Sequence, residues 1–234
     1  MQARHFALVP AAGAGIRFGA ERPKQYQRLV GRPLLEHAVC VLATHPSIHA
    51  VYVALAPGDG GFGECQWEIR HAPVVPLYCG GSSRAATVFN ALVAIRDRLE
   101  ADDWVLVHDA ARPCLSRAEL DRLLLQVESD AVGGLLALAA TDTLKQSDGE
   151  RVVGTVPRES LWRALTPQMF RYGLLIEALH RAGPNPTDES AAIEALGLRP
   201  LLVPGAATNI KVTHPEDMVL AAAILAQRGE QVCA

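Results

Sequence analysis

The sequence has no C-x-x-C pair, no run of basic residues and no long apolar stretch, and each absence removes a class of function. Its five cysteines, Cys40, Cys65, Cys79, Cys114 and Cys233, are odd in number and not paired by spacing. They suit neither a disulfide framework nor a zinc site, and read as reduced thiols of a cytoplasmic protein. The 22 Lys and Arg residues are scattered against 25 Asp and Glu, so nothing outlines a nucleic-acid footprint. A small anionic ligand needs only a few local cations. No segment approaches the roughly 18 apolar residues of a membrane span, and the first residues lack the apolar core of a signal peptide. The expectation is a soluble, cytoplasmic chain without membrane or nucleic-acid partners. Repeats, low-complexity segments and linkers are missing too, so 234 residues, 50% of them hydrophobic, point to one domain over 1–234.

What is present is an alternation of short Val-, Leu- and Ala-rich runs with amphipathic stretches, the pattern of a mostly parallel α/β sheet with helices on both faces. The spacing predicts strands at 6–11, 50–56, 74–79, 104–108, 134–139 and 200–203, and helices at 33–44 and 82–99. Two more helices are expected to open with S/T-x-x-E capping boxes, Ser116 to Glu119 and Thr213 to Glu216. Residues 141–157 break the alternation. They read as two short polar strands around a turn at Ser147-Asp148-Gly149, a projecting β-hairpin that either packs on a second copy of the chain or stands free.

The first strand runs into Pro10-Ala11-Ala12-Gly13-Ala14-Gly15-Ile16-Arg17, followed by Pro23-Lys24-Gln25. Small residues at Ala11, Ala12, Gly13 and Gly15 let backbone N–H groups approach a polyphosphate, at the strand end where open α/β sheets bind ligands. Arg17 and Lys24 supply cations nearby, although a lone G-x-G is also found in plain tight turns. A dinucleotide fold would want an acid at the end of the second strand, and none occurs before Asp59. After the 104–108 strand, His108-Asp109-Ala110-Ala111-Arg112-Pro113 places Asp109 to organise Mg²⁺ and Arg112 to face an anion. The plainer alternative makes Asp109 a cap with Arg112 as its partner, and His108 either a hydrogen-bonded structural histidine or a base.

Taken together with Gly80-Gly81-Ser82-Ser83-Arg84, Asp142-Thr143, the 161–168 segment LWRALTPQ, Thr187-Asp188-Glu189 and the 209–213 segment NIKVT, these motifs occur in family-like order over nearly the whole chain. The sequence resembles the 2-C-methyl-D-erythritol 4-phosphate cytidylyltransferase family of the non-mevalonate isoprenoid pathway. The resemblance implies a Rossmann-like nucleotidyltransferase fold and transfer of a cytidylyl group from CTP to methylerythritol phosphate, with release of pyrophosphate. It implies Mg²⁺ or another divalent cation at Asp109, and catalysis by Arg17, Lys24, Asp109 and Lys211. CTP would be held around Pro10, Ala11, Ala12, Gly13, Gly15, Gly81, Ser82, Arg84, Thr87 and Ala110. The acceptor would meet Arg112, Thr143, Arg158, Thr166 and Thr187. The family also implies a homodimer, with 141–158 as the dimerisation arm and Arg158 reaching the neighbour's site. Bland readings stay beside these: Thr187 and Asp188 as a helix cap, and Lys211 as a solvated edge residue. Ser82 stands where the family usually has an acid, and Thr87 where it usually has serine, which bears on pyrimidine selectivity. The rivals are a ribitol 5-phosphate cytidylyltransferase and a nucleotide-binding protein without turnover.

Overall fold

The computed structural model describes residues 3–13, 22–67, 71–183 and 186–229. Its strands are β1 (His5–Pro10), β2 (Arg28–Leu29), β3 (Arg32–Pro33), β4 (Ile48–Ala54), β5 (Val74–Leu77), β6 (Trp104–Val107), β7 (Gly133–Ala139), β8 (Leu144–Asp148), β9 (Arg151–Val156), β10 (Trp162–Arg171) and β11 (Leu201–Pro204). Its α-helices are α1 (Leu34–Ala43), α2 (Arg84–Ala94), α3 (Arg117–Val127), α4 (Tyr172–Ala182), α5 (Glu189–Glu194) and α6 (Glu216–Arg228). Seven strands form the central sheet in the order β11-β7-β10-β6-β1-β4-β5. β10 runs antiparallel to both neighbours, and the other pairings are parallel.

The apolar runs become central strands because both of their faces are covered. On β1, Ala7 and Val9 pack into one cluster with α1 and α3, through Leu35, Val39, Leu42, Leu120 and Leu123. Phe6 and Leu8 point the other way, into a cluster with Val88 and Leu92 of α2, Leu175 and Leu179 of α4, and Ile193 of α5. Fully buried side chains such as Leu8 contribute about 2 kcal/mol each. α6 sits apart, packing Ala221 and Ile224 on Leu29, Leu34 and Val212.

Strand order fixes the place of the site. The chain leaves β1 toward β4 and β5, then returns to place β6 on the other side of β1. Order therefore reverses between β1 and β6, and the crevice beyond their carboxyl ends is where such sheets hold ligands.

β10 was not among the expected strands. Its 161–168 sequence contains Thr166, Pro167 and Gln168, which hide a strand pattern. Pro167 is tolerated because it falls in the break of the β7–β10 register between Ala164 and Gln168, so its missing N–H leaves no ladder bond unmade. The Ser116–Glu119 capping box forms. The one expected at Thr213–Glu216 does not: α6 starts at Glu216, and Asp217 instead accepts from the Thr213 and His214 N–H groups at 2.7 and 2.8 Å. A carboxylate one residue farther along has won those donors.

The hairpin is present as β8 and β9, an antiparallel pair separate from the main sheet, with Gly149 at φ +60° in its turn. Val152 and Val153 on it are 63% and 60% exposed. Among the described residues, Cys65, Cys79 and Cys114 are free thiols.

Candidate active site

The expected residues converge at that crevice. Pro10, Ala11, Ala12 and Gly13 from the end of β1, Lys24 from the following turn, Gly81, Ser82, Arg84 and Thr87 from the start of α2, Asp109 and Ala110 after β6, and Lys211 all line one cavity of about 320 Å³. Gly15 and Arg17 lie outside the described residues.

Local sequence explains the cavity's walls. The Gln25 side-chain amide donates to the Ala11 carbonyl at 2.9 Å, folding the Lys24–Tyr26 turn back onto the end of β1. A Cβ on Gly80 would come within 2.3 Å of the Ala12 Cβ, so only glycine lets the two loops close together. Among the described residues a Cβ on Gly13 would meet nothing within 4 Å, and Gly13 lines the cavity. Ser83 caps α2, accepting from the Ala86 N–H at 3.1 Å, and the first turn carries no acid. The positive end of the α2 dipole thus faces the cavity undiminished.

Asp109 is the electrostatic centre. One oxygen accepts from Arg84 Nε at 2.8 Å, the other pairs with Lys211 Nζ at 2.7 Å, and Arg112 Nε lies 3.8 Å away. Burial alone would raise its carboxyl, but Arg84 and Lys211 outweigh burial and hold it well below the usual carboxylate range. Arg84 also makes a two-pronged pair with Glu189, at 2.7 and 3.0 Å. The two carboxylates hold its guanidinium even more firmly protonated, against the effect of burial. Lys24 Nζ donates to the Val212 carbonyl at 2.7 Å, which aims its stem along the cavity wall.

His108 is fully buried and bonded at both nitrogens. Its Nε2 faces the Arg112 carbonyl at 3.1 Å and must carry the proton, leaving Nδ1 to accept from the Thr166 hydroxyl at 2.9 Å. Burial lowers its pKa to about 4, so it is a neutral, structural imidazole rather than a base. The Thr166 hydroxyl in turn accepts from the Asp109 N–H at 3.0 Å. Thr166, expected on the acceptor, here supports Asp109 from behind.

Arg112 is buried and donates to the Asn209 and Ala164 carbonyls at 2.7 and 3.4 Å. Together with Arg163 and Asn209 it lines a second cavity of about 340 Å³, which shares Lys211 with the first. Lys211 is therefore no idle edge residue. Four expected acceptor residues, Thr166 among them, line neither cavity within one chain. Thr143 and Arg158 are exposed at the root of the hairpin, where Arg158 donates to the Thr141 carbonyl. Thr187 is exposed just before α5, and its neighbour Asp188 does cap that helix, accepting from the Ala191 N–H at 2.9 Å.

Sequence reasoning missed Glu189, Gln168 and Asn209, all buried polar residues around this site. The motifs containing them were noticed, but nothing local marks an acid whose partner lies 105 positions away. Among the described residues no group of three or more His, Cys, Asp or Glu could by itself hold a metal. Asp109 is the only carboxylate among the described residues lining the first cavity. That donor set suits an ion carried mainly by phosphate oxygens, as Mg²⁺ commonly is.

A model of the 2-C-methyl-D-erythritol 4-phosphate cytidylyltransferase family matches residues 5–227. The enzyme of that name from Dechloromonas aromatica (strain RCB) is 54% identical over 226 residues, 96% of this chain and 99% of that protein. Among solved structures, a 4-diphosphocytidyl-2C-methyl-D-erythritol synthase superposes with a TM-score of 0.83 at 36% identity, covering 96% of this chain and 99% of that one. The Francisella tularensis 2-C-methyl-D-erythritol 4-phosphate cytidylyltransferase gives 0.80 at 34% identity, over 95% of this chain and all of that one. With the same sheet and nearly the full length shared, the chain belongs to the 2-C-methyl-D-erythritol 4-phosphate cytidylyltransferase family.

Proposed function

We propose that the cavity at the ends of β1 and β6 binds CTP, and that this chain transfers its cytidylyl group to 2-C-methyl-D-erythritol 4-phosphate. The products are 4-diphosphocytidyl-2-C-methyl-D-erythritol and pyrophosphate. The observation that carries this reading is the shared boundary of two cavities, one with an open glycine loop and a helix N-terminus, the other with Arg112 and Arg163, joined at Lys211, which pairs with Asp109 of the first.

The nucleophile is a phosphate oxygen of the acceptor, ionised near neutral pH, so no general base is needed. It attacks the α-phosphorus in line, forming one P–O bond as the bond to the leaving pyrophosphate breaks. The chain's part is alignment and charge neutralisation. The N–H groups at Ala11 to Gly13 and at the start of α2 hold the triphosphate, with Lys24 and Arg17 on the charge that builds on its oxygens. The cytosine and ribose lie against Ala11, Ala12, Gly81, Ser82 and Thr87. Lys211 serves both substrates, Arg112 stands on the acceptor side, and Thr166 holds Asp109 from behind. A divalent cation such as Mg²⁺ would be held by Asp109 and the phosphates, and would supply further neutralisation of the triphosphate.

The working form in this reading is one nucleotidyltransferase domain per chain, in a cytoplasmic homodimer. The exposed arm over 141–158 is the dimerisation element, and it carries Thr143 and Arg158 to the partner's acceptor cavity. This explains why neither residue reaches a cavity in its own chain. A pyrophosphate-release assay over four nucleoside triphosphates and several polyol phosphates tests the reading. CTP with methylerythritol phosphate should be turned over best, and equal turnover with purine nucleotides or ribitol 5-phosphate would overturn it.

A further inference from the structure

Glu189 is a buried carboxylate to which the reaction as described gives no work. It is 0% exposed and opens α5, two residues after Thr187. Its place is fixed from below by Gln168 of β10, which is itself 1% exposed. The Gln168 side chain donates to the Asp188 carboxylate at 2.9 Å and accepts from the Ser190 N–H at 2.8 Å, clamping the residues on either side of Glu189. From that fixed point both Glu189 oxygens grip the two terminal nitrogens of Arg84, which leaves its Nε directed at Asp109 at 2.8 Å. A guanidinium gripped at both terminal nitrogens and again at Nε has lost most of its rotamer freedom.

We infer that Glu189 is a positioning residue that acts through Arg84: it holds the guanidinium in the one orientation that aligns Asp109 between the nucleotide and acceptor cavities. The arrangement ties α2, whose N-terminus faces the nucleotide, to α5, which follows the acceptor-side Thr187. Glu189 also offsets the charge of Arg84, so the triphosphate is met chiefly by Arg17, Lys24, Lys211 and the helix N-terminus. The inference rests on the proposed cytidylyl transfer, with Asp109 at the reacting groups.

Glu189→Gln keeps the volume but sets an amide NH₂ against an Arg84 nitrogen, so the two-pronged grip is lost with little change in packing. The test is a double-mutant cycle of Glu189→Gln, Arg84→Met and the pair, with pyrophosphate release from CTP and methylerythritol phosphate measured well below each variant's melting temperature. Glu189→Gln should lower kcat roughly tenfold or more, with a smaller change in KM for CTP, as expected of misplaced reacting groups. Because Glu189 works through Arg84, adding Glu189→Gln to Arg84→Met should cost within about twofold of nothing more. The pair should also melt higher than Arg84→Met alone, which leaves a buried carboxylate unpaired. A folded Glu189→Gln protein with unchanged kcat, or losses that multiply in the pair, would overturn the inference. A wild-type chain that releases no pyrophosphate would instead overturn the proposed reaction.

Discussion

Replacing Asp109 by Asn removes the one anion that three cations share, and the structure says which of them will suffer. Lys211 and Arg84 have side chains 43% and 28% exposed, and Arg84 keeps Glu189, so both can be re-solvated or stay paired. Arg112, with a side chain only 9% exposed, keeps two backbone carbonyls but no carboxylate. Leaving a buried cation uncompensated costs about 3 kcal/mol, which for a chain of this size lowers Tm by roughly 6–12 °C. The same charge excess should draw in a polyanion. In EDTA, CTP should bind Asp109→Asn more tightly than wild type and raise its Tm further. Turnover should nonetheless fall on the order of 10²-fold, because the group that aligns the reactants is gone. Differential scanning fluorimetry with a CTP titration, alongside pyrophosphate release, reads all three. A variant as stable as wild type, with equal or weaker CTP binding in EDTA, would refute the electrostatic reasoning.

Lys24→Ala should lower kcat by on the order of 10²–10³ while changing the CTP dissociation constant far less, and steady-state kinetics showing only a raised KM would reduce Lys24 to a binding residue. Inactive Arg158→Ala and Lys24→Ala proteins, mixed under conditions of subunit exchange, should regain about a quarter of wild-type activity if Arg158 serves the neighbouring site. No recovery with exchange confirmed would place Arg158 in its own chain's site or in neither. Burial depresses the His108 pKa from 6.5 to about 4, so the folded state binds fewer protons than the unfolded one in that interval. Its stability contribution is whole above about pH 6.5 and is lost as pH falls toward 4, on the order of 3 kcal/mol. His5, His37 and His45 shift the same way, so urea midpoints should fall steeply on acidification, and less steeply in His108→Asn.

The sheet was legible wherever a strand is apolar on both faces, as β1 and β6 are, because burial on both sides leaves a continuous run of Val, Leu and Ala. β10 was not, since Thr166 and Gln168 on it are spent on the polar network behind Asp109 and Pro167 occupies a break in register. The wall of the first cavity after β1 was legible because close backbone approach demands small residues in sequence, at Ala11, Ala12 and Gly13. The role of Arg84 was only half legible. Its motif placed it at the nucleotide, but its partners lie 25 and 105 positions away, and pairing at that range leaves no local signature. Capping at Ser116 followed from spacing alone, whereas at Thr213 a competing carboxylate on Asp217 decided the outcome.

The central claim is that an acceptor phosphate oxygen attacks the α-phosphorus of CTP at the junction of the two cavities. It is tested most directly by turning over methylerythritol phosphate labelled with ¹⁸O in its phosphate and following the label by ³¹P NMR and mass spectrometry. Direct attack keeps all of the label in 4-diphosphocytidyl-2-C-methyl-D-erythritol, including the bridging oxygen, and none in pyrophosphate. Label in the pyrophosphate, or a bridge without label, would contradict the account.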